Sequence, residues 1–260
     1  IIAITGLAGH AFGSWQNRET QAMWLHDFLP GHFENARIMT YGYNSSLLEP
    51  NGANLTDHRR GFIQELYNAR VDCQRRPIVF IAHSLGGILI AQTLLYWHST
   101  RTPADNANYA CVRGIFFFGT PHQGLHVDDL KEMVAMQVKK DNYALEHLLD
   151  QLNNYSEFLE NQQETCVQMW EAFTGKIYSF YETRMTKTVV SSEVYLPKMF
   201  SARLGIRQET TFPIIADHTD MVKFAQEAEG TFQTVVTRMK ECIGLSPEYN
   251  MFTPQRNSGI

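Results

Sequence analysis

One stretch of the 260-residue chain, Pro77-Ile-Val-Phe-Ile-Ala-His-Ser-Leu-Gly-Gly-Ile-Leu-Ile-Ala-Gln, restricts the fold more than any other. It begins as a run of β-branched and aromatic side chains, breaks at a turn of small residues, and continues at once into a second apolar run with helical length. A buried strand feeding directly into a buried helix satisfies that pattern, and such a pair needs a sheet covered on both faces. Ser84 stands at the apex of the turn, with Ala82 and Gly86 two residues to either side. Small neighbours at those positions let strand and helix approach while the apex residue holds a strained backbone. That is the physical content of a nucleophile elbow, G-x-S-x-G, with Ala82 at its first Gly. Ser84 Oγ is then expected at a helix N-terminus, where developing negative charge is favoured.

The rest of the chain repeats the alternation. Short apolar runs at 1–5, 36–41, 77–82, 112–118, 176–181 and 212–216 read as strands, and helical spacing at 20–29, 57–71 and 86–97 places helices between them. The order predicts an α/β fold with a mostly parallel central sheet. Residues 127–173 break the rhythm with apolar stripes of helical period, Leu130, Val134 and Val138 and then Leu145, Leu148, Leu149 and Leu152, as expected for a helical cap inserted between two strands. Thr219 is expected to cap a helix running from Asp220 toward Cys242. Residues 244–260, with Pro247, Pro254, Asn257 and Gly259, read as a linker-like tail, which leaves 1–243 as one domain.

Composition narrows the function classes. Twenty-two Lys and Arg against 27 Asp and Glu give a net charge of -5, with no basic stripe, which argues against a nucleic-acid partner. No apolar run approaches the roughly 20 residues that span a bilayer. Cys73, Cys111, Cys166 and Cys242 are scattered without a C-x-x-C pair, so neither a metal site nor a redox motif is expected, and the reading is a reduced, intracellular and cytoplasmic setting. The three N-x-[ST] triplets at Asn44, Asn54 and Asn154 carry little weight against it. The chain opens on Ile1-Ile-Ala-Ile with no Met, basic leader or cleavage site, so no signal peptide is read and a longer multidomain protein is expected.

A serine at an elbow needs a base and an orienting acid, in the chain order Ser, acid, His. Among the ten histidines His218 directly follows the last expected strand, where an open α/β sheet carries its chemistry, and is taken as the base. Glu182 follows the preceding strand and is taken as the acid, with Glu193 and Asp217 as alternatives. Backbone N–H groups of Leu85, after the nucleophile, and Leu7, in the Gly6-Leu-Ala-Gly9 turn, suit an oxyanion hole. That turn lacks the spacing of a phosphate loop, and no cofactor is expected. His122 and Thr120, in Gly119-Thr-Pro-His-Gln-Gly, are assigned to the substrate pocket, together with His83, which points away from the apex of the elbow as a packing residue.

Taken in order, Ile1-Ile-Ala-Ile-Thr-Gly-Leu-Ala-Gly-His with Trp15, Ala82-His-Ser-Leu-Gly-Gly, Phe118-Gly-Thr-Pro-His-Gln-Gly, Phe180-Tyr-Glu-Thr and Ala216-Asp-His resemble the intracellular lipase-like α/β-hydrolases. That group includes serine-active-site-containing proteins, relatives of the GPI inositol-deacylases, and lipase-like N-terminal domains of fungal NLR-type receptors. The resemblance covers residues 1–224 and departs from the pattern at Thr5, where a His is usual, and at Ala82. It implies an α/β-hydrolase fold and ester hydrolysis on lipid-like substrates, with Ser84, Glu182 and His218 at the triad positions. A serine esterase or lipase is therefore expected, acting on a small-molecule or lipid ester, with contact to a membrane surface compatible with that substrate. The cap stripe of Leu130, Met133 and Val134 suits an acyl chain, or simply packs on the domain body. The alternative is a signalling or interaction module of a larger receptor with weak or gated hydrolase activity. Acyl transfer to an acceptor other than water differs from hydrolysis only at the release step.

Overall fold

The computed structural model describes residues 1–7, 9–43, 54–100, 102–125, 150–153, 156–187, 193–194 and 196–244. Six parallel strands form one sheet: β1 (Ile2–Ile4), β2 (Met39–Tyr41), β3 (Ile78–His83), β4 (Val112–Phe118), β5 (Lys176–Glu182) and β8 (Glu209–Ile214), in the spatial order β2-β1-β3-β4-β5-β8. A small antiparallel pair, β6 (Thr186–Lys187) and β7 (Glu193–Val194), lies on the excursion between β5 and β8. The strand order reverses between β1 and β3, and the carboxyl ends around such a switch point are where an open sheet gathers loops into a site.

Alternation across the strands sorts the core into two layers. Ile2, Ile4, Phe80, Ala82, Ile115 and Phe117 face one side; Ala3, Val79, Ile81, Phe116, Phe118 and Phe180 face the other. The triplet Phe116-Phe117-Phe118 is entirely buried and belongs to the sheet core on both faces. On the first face lie α2 (Leu55–Arg70), α3 (Leu85–Thr100), α4 (Pro103–Cys111) and α5 (Glu157–Ala172). Helix α3 is apolar around most of its circumference because it packs centrally between sheet and helices, with Leu85, Ile88, Leu89, Ile90, Leu94 and Trp97 buried. The second face is covered by the short α1 (Trp24–Asp27) and by α6 (Gly230–Cys242), where Trp24, Phe224 and Phe232 form a mutual aromatic cluster.

Several expected elements differ in extent. The helix expected over 20–29 shrinks to α1 followed by a 3-10 turn over Leu29–His32, since Gln21 takes a positive φ of 59°. Helix α2 begins at Leu55 because Asn54 and Asp57 form a reciprocal capping box, at 3.0 and 3.2 Å. Helix α4, capped by Thr102 with Pro103 at its first position, has no counterpart among the expected elements. The helix expected from Asp220 starts only at Gly230. Asp217 Oδ1, rather than the Thr219 side chain, accepts from the Thr219 and Asp220 N–H groups, and the turns that follow bury Met221, Val222 and Phe224. Of the expected insertion, residues 127–149 and 154–155 lie outside the described residues, and with them Leu130, Met133, Val134, Val138, Leu145, Leu148 and Leu149. The described remainder, Leu152 and α5, packs on the body of the domain through Leu159, Cys166, Met169 and Trp170. The tail from residue 245 also lies outside them.

Candidate active site

The turn after β3 has the strain its sequence implies. Ser84 is one of two described residues other than glycine with positive φ, at 54°, a conformation that costs an L-residue on the order of 1–3 kcal/mol and is kept only where the surroundings enforce it. They do so here through three contacts. The Ser84 N–H donates to the Phe118 carbonyl at 2.9 Å, which ties the apex to the end of β4. Gly87 N–H donates back to the Ser84 carbonyl at 2.9 Å and starts the helix. A β-carbon on Gly86 would stand 2.6 Å from the Thr5 carbonyl oxygen, so only glycine lets α3 approach the end of β1. Ala82 fits at the first small position because its methyl points into the core and is fully buried.

The loop after β1 presses on the same apex. A β-carbon at Gly6 would lie 2.7 Å from Ser84 Cβ and 3.3 Å from its Oγ. The loop is braced internally: Gly9 N–H donates to the Gly6 carbonyl, and His10 Nδ1 accepts from the Phe12 and Gly13 N–H groups at 3.2 and 3.0 Å. Leu7 thus sits one residue beyond the point of contact with Ser84. Leu85 is the first residue of α3, where an N–H has no carbonyl one turn back to satisfy it.

His218 arrives from the loop after β8. Its Nδ1 lies 3.4 Å from Oε1 of Glu182, a carboxylate fully buried at the end of β5. The separation is an ion-pair distance, longer than an aligned hydrogen bond. Glu182 Oε1 also accepts from the Leu196 N–H at 2.9 Å, and the His218 N–H donates to the buried Thr186 Oγ1 at 3.0 Å. The excursion between β5 and β8 therefore braces Glu182 from one point and His218 from another. Beneath the imidazole runs Gly119, with φ of +53°, where a β-carbon would approach His218 Nδ1 to 2.8 Å. Glycine at 119 gives the ring its floor.

Ser84, Glu182 and His218 thus gather at the carboxyl ends of β3, β5 and β8, around Phe118 and Gly119. The alternative acid Asp217 spends Oδ1 on the turn over 219–220, and the side chain of Glu193 lies outside the described residues. Of the pocket assignments, Thr120 is fully buried against Gly87 of α3. His122 is buried edge-on to Phe117, with centroids 4.7 Å apart, and burial pushes its pKa down to about 3. His83 is half-buried and packs its ring on that of His218, with Nε2 at 2.9 Å from the His218 carbonyl oxygen. A cavity of about 470 Å³ lies at the opposite, amino ends of the strands, between Ile1, Phe33, Arg37, Val79 and Met239, and holds none of these residues. Thr186, Leu196 and Gly119 were not singled out by the sequence. Only Gly119, inside the Phe118-to-Gly124 motif, left a trace there.

No family model matches the chain. It is 23% identical to Protein SERAC1 of Bos taurus over 273 residues, and 24% identical to its Mus musculus counterpart over 253. Those alignments cover 94% and 86% of this chain but only 39% and 36% of the relatives, so the chain spans well under half of their length. Among solved structures, the mature lipase BlEst2 of Bacillus licheniformis superposes with a TM-score of 0.55 at 15% identity, covering 90% of both chains. Phospholipase PlaB of Legionella pneumophila in complex with thio-NAD gives 0.54 at 15% identity over 74% of this chain and 39% of its own. MGS-MChE2, an alpha/beta hydrolase from a lagoon-sediment metagenome, gives 0.54 at 14% identity over 92% and 90%. The fold is that of the α/β-hydrolases, and its structural neighbours are lipases and esterases.

Proposed function

We propose that the domain is a serine esterase that hydrolyses carboxylic esters, with lipid-like acyl esters as its substrate class. The observation that carries the reading is the strained Ser84, held by Phe118 over the same glycine turn on which the imidazole of His218 rests. Ser84 Oγ attacks the ester carbonyl carbon while His218 takes its proton, and the oxyanion forms against the N–H groups of Leu7 and Leu85. Collapse expels the alcohol, which leaves with the proton from His218. Water then attacks the acyl-enzyme, His218 again accepts and returns a proton, and the acid departs with Ser84 regenerated. Glu182, with no other charged partner among the described residues, orients the imidazole and supplies the counter-charge while it is protonated.

Lipid-like substrates are supported by the neighbours named for lipase and phospholipase action, and by a net charge of -5 that fits an uncharged ester better than a polyanion. An intracellular place and a role within a longer multidomain protein belong to the same proposal; the partial coverage of the SERAC1 proteins supports the latter. Turnover of a series of p-nitrophenyl esters of rising chain length tests it: rates should climb from acetate toward longer acyl groups and vanish in Ser84→Ala. A flat, Ser84-independent background across the series contradicts the proposal.

A further inference from the structure

We propose that His83 is a positioning residue for His218, holding the base's main chain from the same turn that carries the nucleophile. The inference rests on the esterase reading above and deepens it. His83 Nε2 lies 2.9 Å from the carbonyl oxygen of His218, a residue 135 positions later in the chain, and the two rings lie 4.8 Å apart at an interplanar angle of 36°. A carbonyl oxygen only accepts, so Nε2 must carry the hydrogen, and the neutral ring has a single N–H to give. Desolvation keeps the half-buried ring neutral, with its pKa pushed down to about 3; the charges of His218 and Lys223 act in the same direction, the hydrogen bond to the His218 carbonyl opposes them, and Lys223 is paired with Asp220 at 3.0 Å.

The other side of His218 is held as well, since its N–H donates to Thr186 Oγ1. Both peptide groups of the base are therefore fixed by side chains, one from β6 and one from β3. The β3 anchor is the special one, because His83 is covalently next to Ser84. Any shift of the apex carries the anchor with it, so nucleophile and base keep their spacing. A packing role alone needs the volume of the ring but not its hydrogen-bond donor. A positioning role needs the donor at Nε2.

His83→Phe keeps the volume and removes the donor, whereas His83→Gln places an amide N–H₂ near the position of Nε2. Ester turnover and the rate of Ser84 modification by a fluorophosphonate probe should fall roughly 10- to 100-fold in His83→Phe, since a misplacement of about 1 Å is enough for such a loss. KM should stay within about 3-fold, because the lost donor acts on the alignment of His218 rather than on ground-state binding. His83→Gln should recover most of the rate. Wild-type turnover in His83→Phe, or an equal loss in both variants at unchanged melting temperature, overturns the assignment. Should His83→Phe fail to fold, ¹⁵N-histidine spectra of the wild type decide: His83 should remain a neutral Nε2–H tautomer from about pH 5 to 8. A titrating or Nδ1–H ring overturns it. If the wild type itself takes no label, the esterase reading fails instead, so the two failures are distinct.

Discussion

At Ser84 a positive φ, a tie to Phe118 and a helix start coincide, and all three follow from residues within a few positions of one another or one strand away. This is why the elbow at Ser84 was legible: the pattern strand, small turn, helix is local, and its physics is written in Ala82, Gly86 and Gly87. The candidate acid was reachable only through chain order and strand position: Glu182 lies 3.4 Å from His218 Nδ1, whereas the alternative Asp217 bonds its own turn. Glu182→Gln should lower kcat on the order of 10³- to 10⁴-fold, as loss of the orienting acid does in such triads, whereas Asp217→Asn should act mainly on melting temperature. Gly119→Ala combines a disfavoured φ with a contact on the His218 ring. Its kcat should drop at least about 10-fold, measured on a short soluble ester so that substrate binding is not limiting.

Among the elements, the inner strands β1, β3, β4 and β5 were read to within a residue or so because they are buried on both faces and carry continuous apolar runs, whereas the partly exposed edge strands β2 and β8 start three residues from their expected bounds. The N-terminal helix was overestimated for the opposite reason. Trp24 and Leu25 look like a helical stripe, yet they are core residues held by tertiary contacts, including the Trp24 Nε1–H bond to the Val222 carbonyl at 2.9 Å. That bond pins the segment that leads away from His218. The excursion between β5 and β8 had no periodic signal at all, and its value lies in Thr186 and Leu196, whose partners sit 32 and 14 residues away in sequence. Helix α5 belongs to the body of the domain rather than standing apart from it: Trp170→Ala should destabilise by about 3–5 kcal/mol in urea unfolding, the cost of a large core truncation. A change below about 1 kcal/mol would mean that α5 is peripheral.

Over the whole molecule, the charge balance and the two apolar layers are ordinary; next to the candidate site stand two histidines held neutral by desolvation, the half-buried His83 and the buried His122. Both have folded-state pKa values near 3, below the unfolded value near 6.5, so the unfolded chain binds more protons across that interval. Their contribution is fully present above about pH 6.5 and is lost as the pH falls toward 3. Each adds a slope of about 1.4 kcal/mol per pH unit. His83→Gln should remove its share, visible as a shallower fall in urea stability between about pH 6 and 4. No sequence pattern foretold this, because burial of a histidine is a property of the packed layers and not of its neighbours in the chain.

The central claim is that Ser84 is an activated nucleophile in an assembled hydrolase site. Treatment with a fluorophosphonate probe followed by peptide mass spectrometry tests it most directly. The account predicts a single stoichiometric adduct on Ser84, slowed in Glu182→Gln and absent in Ser84→Ala; an unlabelled wild type, or an adduct that persists in Ser84→Ala, would contradict it.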